Sequence, residues 1–124
     1  MVMRILIVDD SIETIESLKR AFRLKGHEII GVLSAQEALI LLKTDKDRFD
    51  VVLTDYCMPE MNGIDMLQQI RENDIVLPVV MMTAYYDDDL NKKALENQCM
   101  AIIQKPFNID DCEKIIAKAA NNPT

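Results

Sequence analysis

The stretch DVVLTDYCMPEMNGIDML, residues 50–67, carries the pattern from which the fold can be read. Val51 to Thr54 is a short run with no polar alternation, as expected of a strand covered on both faces. A single carboxylate, Asp55, ends the run, and beyond it Leu67 and Ile70 fall at helical spacing. The same unit recurs on either side. Further apolar runs lie at Arg4 to Val8, Glu28 to Val32, Pro78 to Met82 and Met100 to Ile103. Between them, Ile15, Leu18 and Phe22 follow i, i+3, i+7, and Ala35, Ala38, Leu39 and Leu42 follow i, i+3, i+4, i+7. Ile109, Cys112, Ile116 and Ala119 repeat the helical pattern after the last run. Ser34 with Glu37 reads as a capping box, Asn108 as an N-cap, and Gly26 as the stop of the first helix. Asp87, Asp88 and Asp89 read as a solvated helix start favoured by the helix dipole.

Strand followed by helix, five times over, implies parallel strands joined by right-handed crossovers. The expected fold is a single α/β domain of three layers, a doubly wound (βα)5 unit over residues 1–120. Ligands in such sheets bind outside the carboxyl ends of the strands. Asp9, Asp10 and Ser11 stand at the end of the first strand and Asp55 at the end of the third. Thr83 ends the fourth, and Gln104, Lys105 and Pro106 end the fifth. Three carboxylates, a hydroxyl and an ammonium therefore converge on one edge. Carboxylates packed together raise one another's pKa, so a cation is expected among them. Lys105 supplies one positive charge. A hard divalent cation with oxygen ligands, Mg²⁺ (or Mn²⁺), would complete the neutralisation. A carboxylate beside such an ion, a lysine and a hydroxyl is equipped to accept a phosphoryl group.

Composition removes competing classes. The 124 residues are 49% hydrophobic and 28% charged, ordinary values for one globular domain. Acidic residues number 21 against 14 basic, a net charge of −7, so direct binding of nucleic acid is not expected. No apolar run approaches the ~20 residues of a membrane span, and the first residues lack the layout of a signal peptide, so a cytoplasmic location is expected. Three glycines provide neither a GxGxxG dinucleotide loop nor a Walker loop. Cys57, Cys99 and Cys112, with no CxxC pair and with His27 as the one histidine, are expected to be reduced packing residues. His27 itself, in a helix-to-strand turn, reads as a plain exposed histidine.

ILIVDDS at 5–11, DVVLTDYCMPEMNGIDML at 50–67, PVVMMTAY at 78–85 and KPF at 105–107 occur in one order and at one set of separations. Together they resemble the receiver (CheY-like) domain of two-component response regulators over essentially the whole length. The resemblance implies a flavodoxin-like strand order 2-1-3-4-5. It makes Asp55 the phosphoacceptor, Asp10 a direct Mg²⁺ ligand, Asp9 a ligand through water, and the backbone carbonyl of Cys57 a further ligand. Thr83 becomes the switch hydroxyl, with Ala84 beside it at the phosphoryl-binding position. Lys105 becomes the phosphoryl-binding lysine, in a cis peptide bond with Pro106. Met58, Pro59 and Gly63 match the loop and helix start that follow. The implied function is a switch rather than an enzyme, catalysing only its own phosphotransfer and dephosphorylation. Its partners would be a histidine kinase or phosphotransfer protein, and an effector on the face of the fourth helix, fifth strand and fifth helix. A phosphorylation-dependent homodimer is a further expectation.

Two positions depart from the family pattern. Ile102 stands where many members carry the switch aromatic, and Asn97-Gln98-Cys99 replaces the usual glycine before the fifth strand. Ile102 keeps open an alternative, a pseudo-receiver adaptor that acts through protein contacts without phosphate. An aspartyl phosphatase would need a DxD pair, whereas Asp9 and Asp10 are adjacent. A flavin-binding protein would need a hydroxyl-rich phosphate loop, which the acidic pair replaces. Tyr85 is expected to overhang the site and slow loss of the phosphoryl group, and Met58 with Met61 to offer an adaptable docking surface. Residues 121–124 read as a tail or the start of a linker. The chain is therefore expected to be a stand-alone receiver or phosphorelay intermediate, or a domain of a longer regulator.

Overall fold

Val51–Asp55 (β3) is buried at every position, in the middle of a five-stranded parallel sheet. It pairs with Arg4–Val8 (β1) on one side and Val79–Thr83 (β4) on the other, while Glu28–Val32 (β2) and Ala101–Gln104 (β5) form the edges. The order is β2-β1-β3-β4-β5, the flavodoxin-like order expected of the sequence. The structure, a computed structural model, describes residues 2–121. Helices Ile12–Leu24 (α1), Ala35–Asp45 (α2), Gly63–Glu72 (α3), Asp88–Glu96 (α4) and Ile109–Asn121 (α5) connect or follow the strands. A short 3₁₀ turn, Lys46–Arg48, follows α2. No helix among the described residues is long and apolar enough to cross a membrane.

Alternation along each strand sorts the core into two layers. Leu6, Val8, Val52, Val79 and Met81 meet α2, α3 and α4 through Leu42, Leu67, Ile70 and Leu90. Ile5, Ile7, Leu53, Val80 and Met82 face the other way and meet α1 and α5 through Ile15, Phe22, Cys112 and Ile116. Both faces are covered, which is why the strands carry near-continuous apolar runs.

Caps fix where the helices begin. Ser11, Ser34 and Asp87 accept hydrogen bonds from the amides three residues on, at the starts of α1, α2 and α4. Asn108 does the same for Asp111 at α5. The reciprocal capping box is formed by Asn62 and Asp65 at α3. Gly26, with φ +91, takes the left-handed turn after α1.

The strands close at the polar residues that the sequence reading placed at their ends. Asp55, Thr83 and Gln104 are the last residues of β3, β4 and β5, with Lys105 and Pro106 just beyond the last. The reason is the ladder: Asp55 pairs with Met82, Thr83 with Gln104, and the amides of Tyr56 and Lys105 still donate across it. Helix α5 runs through Asn121, the first residue of the stretch read as a tail. Residues 122–124 of that stretch lie outside the described residues.

Candidate functional site at the strand carboxyl ends

Four strands deliver the site. Asp9 and Asp10 follow β1, Asp55 and Thr83 close β3 and β4, and Lys105 follows β5. The carboxylates of Asp9, Asp10 and Asp55 each offer an oxygen within 4.8 Å of the others. Lys105 Nζ lies 3.2 Å from Asp55 Oδ1 and 3.6 Å from Asp9 Oδ2. The Lys105-Pro106 peptide bond is cis.

Asp9 is 1% exposed, and its two oxygens have different fates. Oδ1 accepts from the Ser11 amide at 2.9 Å. Oδ2 is buried without a hydrogen-bond partner, since the ammonium at 3.6 Å is too distant to donate. A buried carboxylate oxygen left this way is costly. Asp55 has its carboxyl pushed above the usual carboxylate range, first by burial and then by the charge of Asp9, while Lys105 opposes both. One ammonium against three carboxylates leaves the cluster net negative. The donor set is all oxygen and anionic, with one oxygen unclaimed, which fits a hard divalent cation. Asp10, exposed at the rim, adds a solvent-facing carboxylate to that set.

Thr83 is buried, and its hydroxyl is already engaged. It accepts from the Tyr85 amide at 3.0 Å and donates to the Tyr85 carbonyl at 3.1 Å. Its one proton is therefore committed, and the hydroxyl has to give up the Tyr85 carbonyl before it can donate to anything above Asp55. Ala84, the next residue, is exposed, which leaves its backbone accessible at the same edge.

Four expectations need correction. Tyr85 is 80% exposed, so its ring covers nothing here; its backbone, not its side chain, meets the Thr83 hydroxyl. Met58 is a buried core residue against Ile64 and its neighbours, because the loop after β3 turns back onto the sheet. Cys57 is exposed, since it lies in that loop, beyond the sheet that the helices cover. Cys99 and Cys112 are buried as expected; burial pushes the Cys112 thiol up to about 12. His27 is buried, at 6% exposure. Its Nδ1 accepts from the Met3 amide at 3.0 Å, and Nε2 lies 2.6 Å from Glu113 Oε2, so the ring joins β1 to α5. Ile102 is half-buried against the α2–α4 core layer.

Two contacts around the site were not readable from the sequence, although Gly63 itself was matched to the helix start. Gly63, at the start of α3, lies directly against the backbone of Asp55. Arg71 donates to the carbonyls of Ile75, Leu77, Asn97 and Gln98, joining the loops after α3 and α4. Neither has a local signature, because the partners are backbone atoms.

Known proteins share both the sequence and the architecture. A family model described as the response regulator receiver domain matches residues 5–117. The regulatory protein AtoC of Escherichia coli (strain K12) is 37% identical over 116 residues, 94% of this chain but 25% of AtoC. The two-component response regulator ORR3 of Oryza sativa subsp. japonica is 32% identical over 120 residues, covering 92% of this chain and 91% of ORR3. The first two curated relatives are thus much longer than this chain, which spans 25% of one and 19% of the other. Among solved structures, the response regulator receiver domain protein of Clostridium thermocellum superposes with a TM-score of 0.89 at 27% identity, over 96% of this chain and 94% of that one. The chemotaxis protein CheY4 of Vibrio cholerae gives 0.86 at 26%, over 96% and 99%.

Proposed function

The chain belongs to the response regulator receiver domain family of two-component systems, and from that membership we propose a phosphorylation-controlled switch in which Asp55 accepts the phosphoryl group. The observation that carries the proposal is the acidic cluster itself: three carboxylates gathered around a lysine, with one buried oxygen, Asp9 Oδ2, left unpartnered. Such an arrangement opposes folding unless a cation occupies it, and that cation would then meet the incoming phosphoryl group.

Asp55, Asp10, Asp9 and the Cys57 carbonyl would hold Mg²⁺, or Mn²⁺ in its place. The bound ion supplies charge neutralisation on the oxygens of the transferring group. Everything else falls to the chain's own residues. An oxygen of the Asp55 carboxylate forms the new bond to phosphorus. The bond from phosphorus to the donor breaks, and its electron pair leaves with the donor, the imidazole nitrogen of a phosphohistidine. Lys105, already on Asp55 Oδ1, pairs with a phosphoryl oxygen as the carboxylate charge is consumed. Thr83 exchanges its bonds to Tyr85 for one to the phosphoryl group, with the exposed Ala84 backbone beside it. That exchange releases the Tyr85 amide and carbonyl, so the segment leading into α4 gains a second arrangement. A few kcal/mol of preference for one arrangement is enough to exchange the dominant state.

The phosphoryl source would be a histidine kinase or a phosphotransfer protein. The output surface would be the α4–β5–α5 face, where Tyr86 and Leu95 remain exposed, and a homodimer on that face is one form the output takes. An adaptor that never carries phosphate is the second reading, and the engagement of the Thr83 hydroxyl by Tyr85 favours it.

Intact-mass measurement after incubation with Mg²⁺ and acetyl phosphate separates the two. A phosphate-sized increase is expected for the wild type and is expected to vanish in Asp55→Asn and under chelation. No increase in folded, Mg²⁺-binding wild type would favour the adaptor.

A further inference from the structure

Gly63 is packed against backbone rather than against side chains. A Cβ at this position would stand 2.8 Å from the Asp55 carbonyl oxygen, 3.1 Å from Tyr56 Cα and 3.3 Å from Met81 Cε. The methionine tip can move aside, but the two backbone atoms belong to the end of β3 and cannot. The close approach is also bonded, since the Gly63 amide donates to the Tyr56 carbonyl at 2.8 Å. On its other side, the Tyr56 amide donates to the Met82 carbonyl at 2.9 Å. Tyr56, directly after Asp55, is thus gripped through its own amide and carbonyl between β4 and the first turn of α3. That turn is itself fixed by the Asn62–Asp65 capping box. The loop from Tyr56 to Asn62, which carries Cys57, begins and ends at this grip.

We propose that Gly63 is a positioning residue for the phosphoacceptor: its missing side chain lets α3 approach the Asp55 carbonyl and clamp Tyr56, and so fixes both the Asp55 carboxylate and the Cys57 carbonyl for metal. The proposal rests on the reading of Asp55 as the phosphoacceptor. Conformational freedom is not what the position needs. Gly63 is the first residue of a helix and has no left-handed φ. Alanine is the better helix former, so local propensity favours the substitution. Any loss on replacing Gly63 therefore comes from the contact with β3.

The test compares Gly63→Ala with wild type and with Ile70→Ala. Ile70 is fully buried two turns further along the same helix, so its truncation destabilises α3 without touching Asp55. Titration with Mg²⁺ by calorimetry is the first readout, and phosphorylation by acetyl phosphate the second. Gly63→Ala is expected to bind Mg²⁺ at least ~10-fold more weakly, the range seen when groups that orient metal ligands are disturbed, and to be phosphorylated correspondingly slowly. Ile70→Ala, with an equal or larger fall in melting temperature, is expected to keep wild-type Mg²⁺ affinity. Equal affinity in Gly63→Ala and wild type, or equal weakening in Ile70→Ala, would overturn the proposal. Should Gly63→Ala not fold, hydrogen exchange of the Gly63 amide in wild type decides: slowing by Mg²⁺ supports the clamp, and no change overturns it. Wild type that neither binds Mg²⁺ nor accepts phosphate would instead overturn the phosphoacceptor reading beneath it.

Discussion

Asp55 illustrates how a residue suited to its chemistry is a poor one for the fold. Its carboxyl is raised by burial and by Asp9, so the folded state disfavours the charged form. For a carboxyl shifted upward, the cost is present above its folded pKa and is relieved as pH falls through that value. Asp55→Asn is therefore expected to stabilise the metal-free protein at neutral pH. Denaturant midpoints with an unchanged m-value would show it, and the gain should shrink on acidification. No gain at pH 7 would mean that Lys105 already offsets the burial. Individual residues were legible in the sequence where chemistry and position coincide. Asp9, Asp55, Thr83 and Lys105 stand out because polar groups interrupt apolar runs at strand ends. His27 was not legible, since its partners are a backbone amide at Met3 and a carboxylate 86 residues away. Nothing in the neighbouring Gly26 and Glu28 announces either.

At the scale of elements, α4 is the most lightly held of the helices. Of its nine residues only Leu90 and Ala94 are buried. Its N-terminal end follows the Thr83 turn, and its C-terminal end is tied down by Arg71, which reaches the carbonyls of Asn97 and Gln98 from α3. These are carbonyls near the negative end of a helix dipole, so a guanidinium is well placed on them. Burial without a carboxylate partner pulls the Arg71 guanidinium below its ordinary pKa. Lysine cannot span four carbonyls with one ammonium. Arg71→Lys is expected to cost about 1–2 kcal/mol and to speed hydrogen exchange at the C-terminal end of α4 while leaving α1 unchanged. Uniform acceleration across the domain would show that Arg71 contributes only to global stability. The alternation of strand and helix was readable because apolar runs and 3.6-residue periodicity differ so plainly. The starts of β4 and β5, at Val79 and Ala101, lie one residue inside the apolar runs because a ladder's first rung is set by the neighbouring strand, which local sequence does not contain. Lys46–Arg48 went unread for a related reason: a single 3₁₀ turn has no periodicity.

For the whole molecule, three of the carboxylates behind the net charge of −7 are gathered at one edge. A cation that binds the folded state and not the unfolded one stabilises it by mass action, about 2.7 kcal/mol at a hundredfold excess over Kd. Raising Mg²⁺ is expected to raise the melting temperature of wild type progressively. Asp10→Asn should flatten that dependence without lowering the metal-free melting temperature. A flat wild-type response, at matched ionic strength, would count against a metal at this edge. The same geometry has a kinetic consequence. Asp9, Asp55, Thr83 and Lys105 sit on or just beyond four different strands, so no single hairpin or helix contains the cluster. Parallel pairing forms slowly because its contacts are distant along the chain. The carboxylates meet only when β1 and β3 are already side by side. The repulsion therefore opposes the chain only once those two strands have paired, and the aliphatic runs that bring them together meet none of it beforehand.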